Sequence, residues 1–332
     1  MRRIGSGKAF ALLMIGMSIL AFNLQRAESA ESSATRWTKV YGGAKRDEAH
    51  SVINTNDGGY ALAGFTASYG AGGYDFWLVK TNANGNYLWS RTFGGTGDEE
   101  ARSVVQTGDG GYALAGYTES FGAGGSDFWL VRTDASGDAL WNKTYGGTKD
   151  DVALSVIQTG DGGYALAGYT ESFGAGYADF WLVRTDANGN ALWNKTYGGE
   201  GADEAFSVVQ TSDGGYALAG FTESFGAGSA DFGLVKTDAM GSELWTRTYG
   251  GAYTDIACSV VQTGDGGYAL AGFTESFGAG SADFWLVKTD ENGVIPEFPS
   301  FSILLLLVAF MLVMAFTKKR LARKHLFSPC FD

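Results

Sequence analysis

From Trp37 to Gly293 the chain alternates short apolar runs with glycine-rich polar ones, and the pattern returns every 52 residues. The segment D-G-G-Y-A-L-A-G starts at Asp57, Asp109, Asp161, Asp213 and Asp265, and a tryptophan keeps the same beat at Trp37, Trp89, Trp141, Trp193 and Trp245. A fixed period of this size marks a repeat architecture. In the third copy, residues 153–159 (A-L-S-V-I-Q-T) form a β-branched run, and 160–162 a tight glycine turn. Residues 164–170 are a second strand, 171–178 a glycine-rich loop, and 179–185 (D-F-W-L-V-R-T) a third strand. An Asn-Gly turn at 186–190 leads into a fourth strand at 191–197, and Gly198-Gly199 opens the link to the next copy.

These strands are apolar on both alternations, as in Phe180 and Leu182 against Trp181 and Val183. A sheet with one wet face would alternate apolar with polar. Both faces must therefore be covered, as in the blades of a β-propeller. The first repeat is preceded by a lone fourth strand, Trp37 to Tyr41, and the last ends after its third strand and the turn 290–293. The pattern predicts an all-β, five-bladed propeller over 37–294, with the N-terminal strand completing the last blade. A solenoid would leave two open edges, which sheet proteins avoid.

Composition agrees with strands and turns: 51 glycines, 14% aromatics and only 3 prolines, all near the C-terminus. A net charge of −12 argues against a nucleic-acid partner, which calls for a basic face. Two cysteines, Cys258 and Cys330, allow no disulfide framework. Residues 1–30 have the layout of a secretory signal peptide, with an uncleaved N-terminal anchor as the alternative, and 31–36 form a linker. At the other end, a Pro-Glu-Phe box at 295–300 precedes an apolar span at 301–317 and a basic tail at 318–332. The span is just long enough to cross a bilayer, and the basic tail places its own end in the cytoplasm and the repeats outside.

The box, the short span and the basic tail together resemble PEF-CTERM sorting signals of archaeal surface proteins. The resemblance implies cutting near the box and transfer to a new anchor. The run D-F-W-L-V-R-T-D-A-N-G-N-A-L-W-N-K-T-Y-G-G, followed by an acidic pair and a strand, resembles the secreted bladed β-propeller repeats known as SBBP. That likeness implies an extracellular propeller and brings no catalytic residues with it. The family is usually described as seven-bladed, whereas five units are present here.

Each copy carries an acid before its inner strand (Asp47, Glu99, Asp151, Asp203, Asp255) and another before its third strand (Asp75, Asp127, Asp179, Asp231, Asp283). Between them sits an aromatic in the glycine loop: Tyr69, Phe121, Phe173, Phe225 or Phe277. In a four-stranded blade the inter-blade link and the loop between strands two and three emerge on one rim. The pattern predicts a repeated pocket for a sugar or a Ca²⁺ ion, with Phe121, Phe173, Phe225, Phe277, Asp127, Asp179, Asp231 and Asp283 as its ligand-binding residues. The competing reading has the acids capping turns and the aromatics filling gaps between blades.

Catalysis calls for a unique convergent set, and none is legible. His50 and Cys258 occupy equivalent positions in the first and last copies, so ring closure would bring them together as a nucleophile pair, or leave two unrelated side chains at a tolerant position. Asn142 and Asn194 head N-glycosylation sequons on the outermost strand. The basic residues Lys39, Arg91, Lys143, Lys195 and Arg247 share that strand and discourage edge pairing. The expectation is a surface-anchored, non-enzymatic binding or adhesion module that engages surface glycans or envelope proteins. A structural envelope component is the alternative, and an extracellular hydrolase a third reading.

Overall fold

The computed structural model describes residues 36–296. The expected signal peptide, the span at 301–317 and the tail at 318–332 lie outside the described residues, as do most of the linker and residues 297–300 of the Pro-Glu-Phe box. Among the described residues no helix is long and apolar enough to cross a membrane.

Among the described residues nineteen strands build five antiparallel sheets, each a simple meander. The first holds β1 (Asp47–Asn54), β2 (Tyr60–Thr66), β3 (Asp75–Thr81) and β4 (Tyr87–Phe93). The second holds β5 (Glu99–Gln106), β6 (Tyr112–Thr118), β7 (Asp127–Thr133) and β8 (Ala139–Tyr145). The third comprises β9 (Asp151–Gln158), β10 (Tyr164–Thr170), β11 (Asp179–Thr185) and β12 (Ala191–Tyr197). The fourth comprises β13 (Asp203–Gln210), β14 (Tyr216–Thr222), β15 (Asp231–Thr237) and β16 (Glu243–Tyr249). The fifth has only β17 (Asp255–Gln262), β18 (Tyr268–Thr274) and β19 (Asp283–Lys288). In the first four repeats the four strands and their turns stand within two residues of where the hydrophobic pattern placed them.

The sheets stack face to face, which is why both alternations are apolar. β3, β7, β11 and β15 are buried at every position. Each cluster of core residues spans two sheets: Phe76 and Leu78 of the first pack with Val104, Tyr112, Leu114 and Trp129 of the second. Phe–Trp edge contacts recur at this boundary, with ring centroids 4.6 Å apart for Phe76–Trp129 and 4.5 Å for Phe128–Trp181. The inner strands bond laterally as well, since the N–H of Val104 donates to Ser51 Oγ and that of Val156 to Ser103 Oγ.

A second clasp lies on the outside. The fourth-strand tryptophan of one sheet covers the glycine of the next sheet's Asn-Gly-type turn. Trp89 lies over Gly137, Trp141 over Gly189, Trp193 over Gly241 and Trp245 over Gly293, and any Cβ at those glycines would collide with the indole. The turn also holds them at positive φ, between 73° and 81°, so glycine is required on two counts. Beside the clasp, the Tyr145, Tyr197 and Tyr249 hydroxyls donate to the carbonyls of Gly189, Gly241 and Gly293 at 2.6–2.7 Å.

The expected ring closure is corrected by the structure. Residues 37–41 form no strand and the fifth sheet stays three-stranded. Trp37 instead makes the same clasp on the first sheet, meeting Tyr60 and covering Gly85, while the Tyr41 hydroxyl donates to the Gly85 carbonyl at 2.5 Å. The N-terminal segment thus sits where the fourth strand of a preceding blade belongs, but β19 does not reach it. Inner strands pack in order, β1 on β5, β5 on β9, β9 on β13 and β13 on β17, and β17 makes no comparable contact with β1. The array is open, and its two end faces are bare. Val52 is 62% exposed where Val104, Val156, Val208 and Val260 are each 2% exposed. Phe284 is fully exposed where Phe76, Phe128, Phe180 and Phe232 are buried.

This openness makes a direct prediction. Phe128→Ala should cost about 3–5 kcal/mol in urea unfolding, as for a buried phenylalanine. Phe284→Ala should cost within about 0.5 kcal/mol of nothing, as for a surface site. Equal costs at the two positions would mean that the end face is covered in solution.

Candidate ligand-binding rim and cleft

The inter-sheet links and glycine loops expected to form the rim lie side by side, held mainly by backbone hydrogen bonds. The N–H of each inner strand's leading acid donates to the carbonyl just before the third strand of the preceding sheet: Glu99 to Tyr74 (2.8 Å), Asp151 to Ser126 (2.6 Å), Asp203 to Ala178 and Asp255 to Ala230 (both 2.7 Å). The carboxylates of those acids accept from the link, Gly95 N–H on Glu99 and Gly147 N–H on Asp151 at 2.8 Å. The third-strand acids close the glycine loop. Asp127, Asp179, Asp231 and Asp283 accept from the N–H groups of Ala123, Ala175, Ala227 and Ala279 at 2.7–2.8 Å. Asp127, Asp179 and Asp231 are buried and Asp283 is partly so. Burial raises the pKa of all three buried acids, and that of Asp179 reaches about 6, with the neighbouring Asp203 carboxylate adding to the rise.

The loop aromatics stand outside these acids. Phe121, Phe173, Phe225 and Phe277 are 44–50% exposed. Three of them lean on the tryptophan of their own third strand: Phe121 on Trp129 (5.6 Å), Phe173 on Trp181 (5.5 Å) and Phe277 on Trp285 (5.3 Å). The structure therefore brings phenylalanine and aspartate to one loop but faces the ring outward and the carboxylate inward. Among the described residues no cluster of three or more His, Cys, Asp or Glu side chains is arranged to hold a metal, so the expected Ca²⁺ has no acidic cage there.

His50 and Cys258 are not brought together, because the array does not close. His50 lies 3.8 Å from Glu100 and stacks on Phe65, and Cys258 is exposed on β17. Their shared position is a β-bulge. The pairing register skips His50, Arg102, Leu154, Phe206 and Cys258, so this residue has no cross-strand partner and its identity drifts freely. Asn142 and Asn194 are exposed on the outer strands, and their Oδ1 atoms accept from the indole N–H of Trp129 and Trp181 at 3.3 and 3.4 Å.

One repeated pair escaped the sequence reading. The aspartate of each D-G-G turn binds the basic residue of its own third strand: Asp57–Lys80, Asp109–Arg132, Asp161–Arg184, Asp213–Lys236 and Asp265–Lys288, at 2.5–2.9 Å. Except for Lys288, these cations are buried, and without the aspartate they would be uncompensated. The signal was present as an acid and a base recurring at one spacing.

The fourth sheet breaks the pattern. Gly233 occupies the place of Trp77, Trp129, Trp181 and Trp285, and Phe225 has no indole to lean on. A cleft of about 330 Å³ opens there, between the third and fourth sheets. Its inner wall is Phe180, Tyr197, Asp203, Gly233 and Val235, and Phe225, Glu243 and Thr246 lie toward solvent.

No family model matches the chain. It is 27% identical over 303 residues to the regulatory protein FlaEY of Caulobacter vibrioides, covering 84% of this chain but spanning only 29% of that relative's length. Among solved structures, it is similar to the Pan2 WD40 domain of Neurospora crassa, with a TM-score of 0.47 and 11% identity over 72% of this chain and 62% of that one. It is also similar to Sqt1 of Chaetomium thermophilum, with a TM-score of 0.40 and 12% identity over 76% of this chain and 71% of that one.

Two outcomes follow from the rim and the cleft. Gly233→Trp should raise the melting temperature, because the cleft has room for an indole and only Phe180 must yield, its Cζ lying 3.1 Å from where the new Cβ would stand. An unchanged or lower melting temperature would show that the wall cannot shift. The second concerns pH. A carboxyl whose folded pKa is raised contributes stability that is complete below its unfolded value, 3.8 for aspartate, and is lost as pH rises through the folded value, about 6 for Asp179. Asp179→Asn does not titrate and keeps an acceptor for Ala175. Its stability relative to the native protein should therefore increase between about pH 4 and pH 7 in denaturant titrations; a flat difference would contradict a raised pKa.

Proposed function

We propose that this chain is a non-catalytic binding module, displayed outside the cell, that uses the aromatic rim as its contact surface. The observation that carries this reading is the repeated half-exposed ring: one aromatic per sheet, held on a glycine loop whose backbone is tied down by a buried aspartate. Such a ring offers a flat apolar face at little entropic cost, and a sugar's C–H face or an envelope protein's apolar side chain stacks on it. With the carboxylates of Asp127, Asp179 and Asp231 turned inward, the hydrogen bonds to a ligand would come from the glycine-loop backbone. Five similar rims at fixed spacing would engage a densely displayed ligand at several points, raising avidity by roughly 10² to 10⁴ over one site. The apolar span and basic tail of the sequence support a membrane-anchored placement with the repeats outside. Similarity to part of a regulatory protein favours recognition over catalysis.

The test changes Phe121, Phe173, Phe225 and Phe277 to serine and measures binding to cells and to immobilised envelope glycans. A variant that keeps its β-sheet circular dichroism and loses binding supports the rim. A folded variant that binds as before places the contact elsewhere. Failure of the native protein to bind any envelope fraction would leave a structural envelope role as the better reading.

A further inference from the structure

Three departures from the second and third copies meet at one place, although the first copy also varies at two of these positions, with Tyr87 and Ser90. Gly233 replaces a tryptophan, Thr246 replaces the asparagine that accepts the indole N–H in the second and third sheets, and Glu243 replaces Ala139 and Ala191. All three line the cleft between the third and fourth sheets. In the other sheets that space holds the indole, which meets the preceding sheet's phenylalanine edge-on in the second and third (Phe76–Trp129, Phe128–Trp181) and tilted in the fifth (Phe232–Trp285). At the fourth sheet the corresponding ring, Phe180, faces the open space. The void is therefore shaped by contacts that elsewhere close on a flat bicyclic ring.

A second observation points to a hydrogen-bond donor. Asp203 is 1% exposed and lines the cleft, and its Oδ1 has no hydrogen-bond partner. Its Oδ2 is fully engaged, accepting from Gly199 N–H at 2.9 Å and from Ser224 Oγ at 2.6 Å. In the first three sheets the equivalent of the free oxygen accepts from a threonine hydroxyl, Thr66 on Asp47, Thr118 on Glu99 and Thr170 on Asp151; in the fifth, Asp255 Oδ1 accepts from Ser276 N–H. A buried acceptor left unmatched is costly, and since Oδ1 is closed off from solvent, a ligand N–H would satisfy it once the Asp203 carboxylate turns toward the cleft. At the mouth, Glu243 is exposed and receives only the Thr246 hydroxyl, at 2.8 Å. The cleft thus combines aromatic and aliphatic walls with one inner acceptor and one outer negative charge, at a volume within the range of small-ligand sites.

We propose that this cleft binds a small planar aromatic amine of indole size, with the ring against Phe180, Tyr197 and Val235, a ring N–H directed to Asp203, and a cationic amino group paired with Glu243. The site is single, whereas the rim repeats, so the two separate by stoichiometry. The full chain is titrated calorimetrically with tryptamine, indole and indole-3-acetate. Saturable binding of tryptamine at one equivalent is expected, weaker binding of indole, and the weakest of indole-3-acetate, whose charge opposes Glu243. Gly233→Trp should weaken tryptamine at least about 10-fold by filling the site, a difference of about 1.4 kcal/mol. Gly233→Leu repeats the test with a smaller side chain should the tryptophan distort the sheet. Glu243→Gln should bring tryptamine down to the affinity of indole and leave indole unchanged. Any of four results overturns the proposal: no saturable tryptamine binding, about five equivalents bound, affinity unchanged in both Gly233 variants, or indole-3-acetate binding as well as tryptamine. The phenylalanine-to-serine rim variant is not used here, because Phe225 contributes to both surfaces.

Discussion

The clasp between successive sheets is the contact on which the rest of the molecule depends. A single sheet of this chain has two apolar faces and cannot bury either alone. Neighbouring sheets hold each other because a fourth-strand tryptophan covers the next sheet's turn glycine, a tyrosine hydroxyl in most cases bonds that glycine's carbonyl, and, except between the third and fourth sheets, a phenylalanine meets the indole of the next third strand. The three contacts lie at different depths and act on the same neighbour, so they set both the spacing and the relative orientation of adjacent sheets. This is the nearest-neighbour logic of repeat proteins, in which stability is approximately a sum of unit and interface contributions.

The same logic explains why the ends stay apart. Ring closure demands that the fixed inter-sheet step return the fifth sheet to the first. Here the four interfaces repeat the same strand packing, with an indole missing only between the third and fourth sheets, and after them β19 still faces solvent. The N-terminal segment, expected from its sequence to bridge that gap by pairing with β19, is held instead by the clasp. Trp37 and Tyr41 dock on the first sheet, with Gly85 beneath, as Trp141 and Tyr145 dock on the third with Gly189. Side-chain docking onto a following sheet and backbone pairing with a preceding one are separable interactions, and only the first is local to residues already in place.

That distinction marks what was legible in the sequence. Strands, turns and two-faced burial were legible because each depends on residues within one repeat: the alternation in Phe180–Val183, the Asn-Gly turn at 188–189, the D-G-G turn at 161–163. The rim was legible as a location, since meander topology alone places the loop and the link on one side. Its chemistry was not, because the choice between a free and a capping aspartate rests on one backbone N–H four residues upstream. Closure was not legible either, as it depends on an angle accumulated over four interfaces that no single repeat encodes. The drifting position from His50 to Cys258 looked like a candidate pair only while closure was assumed, and the bulge that frees it from cross-strand pairing accounts for its variety.

A repeat chain also makes its exceptions informative. Where four copies agree on a tryptophan, packing alone explains the residue, and its loss in the fourth copy should be a plain cavity that costs stability. Beside that cavity stand Thr246 where the second and third sheets have asparagine, a glutamate at 243, and the carboxylate of Asp203 with an unmatched oxygen. The asparagine is not tied to the indole, since the first sheet keeps Trp77 with Ser90 at that position, so Thr246 marks a position that varies between copies. Position 243 varies as well, being Tyr87 in the first sheet and alanine in the second and third, but of these four residues Glu243 alone brings a charge. The hole, the unmatched acceptor and the added charge converge on one cleft, and packing accounts only for the first.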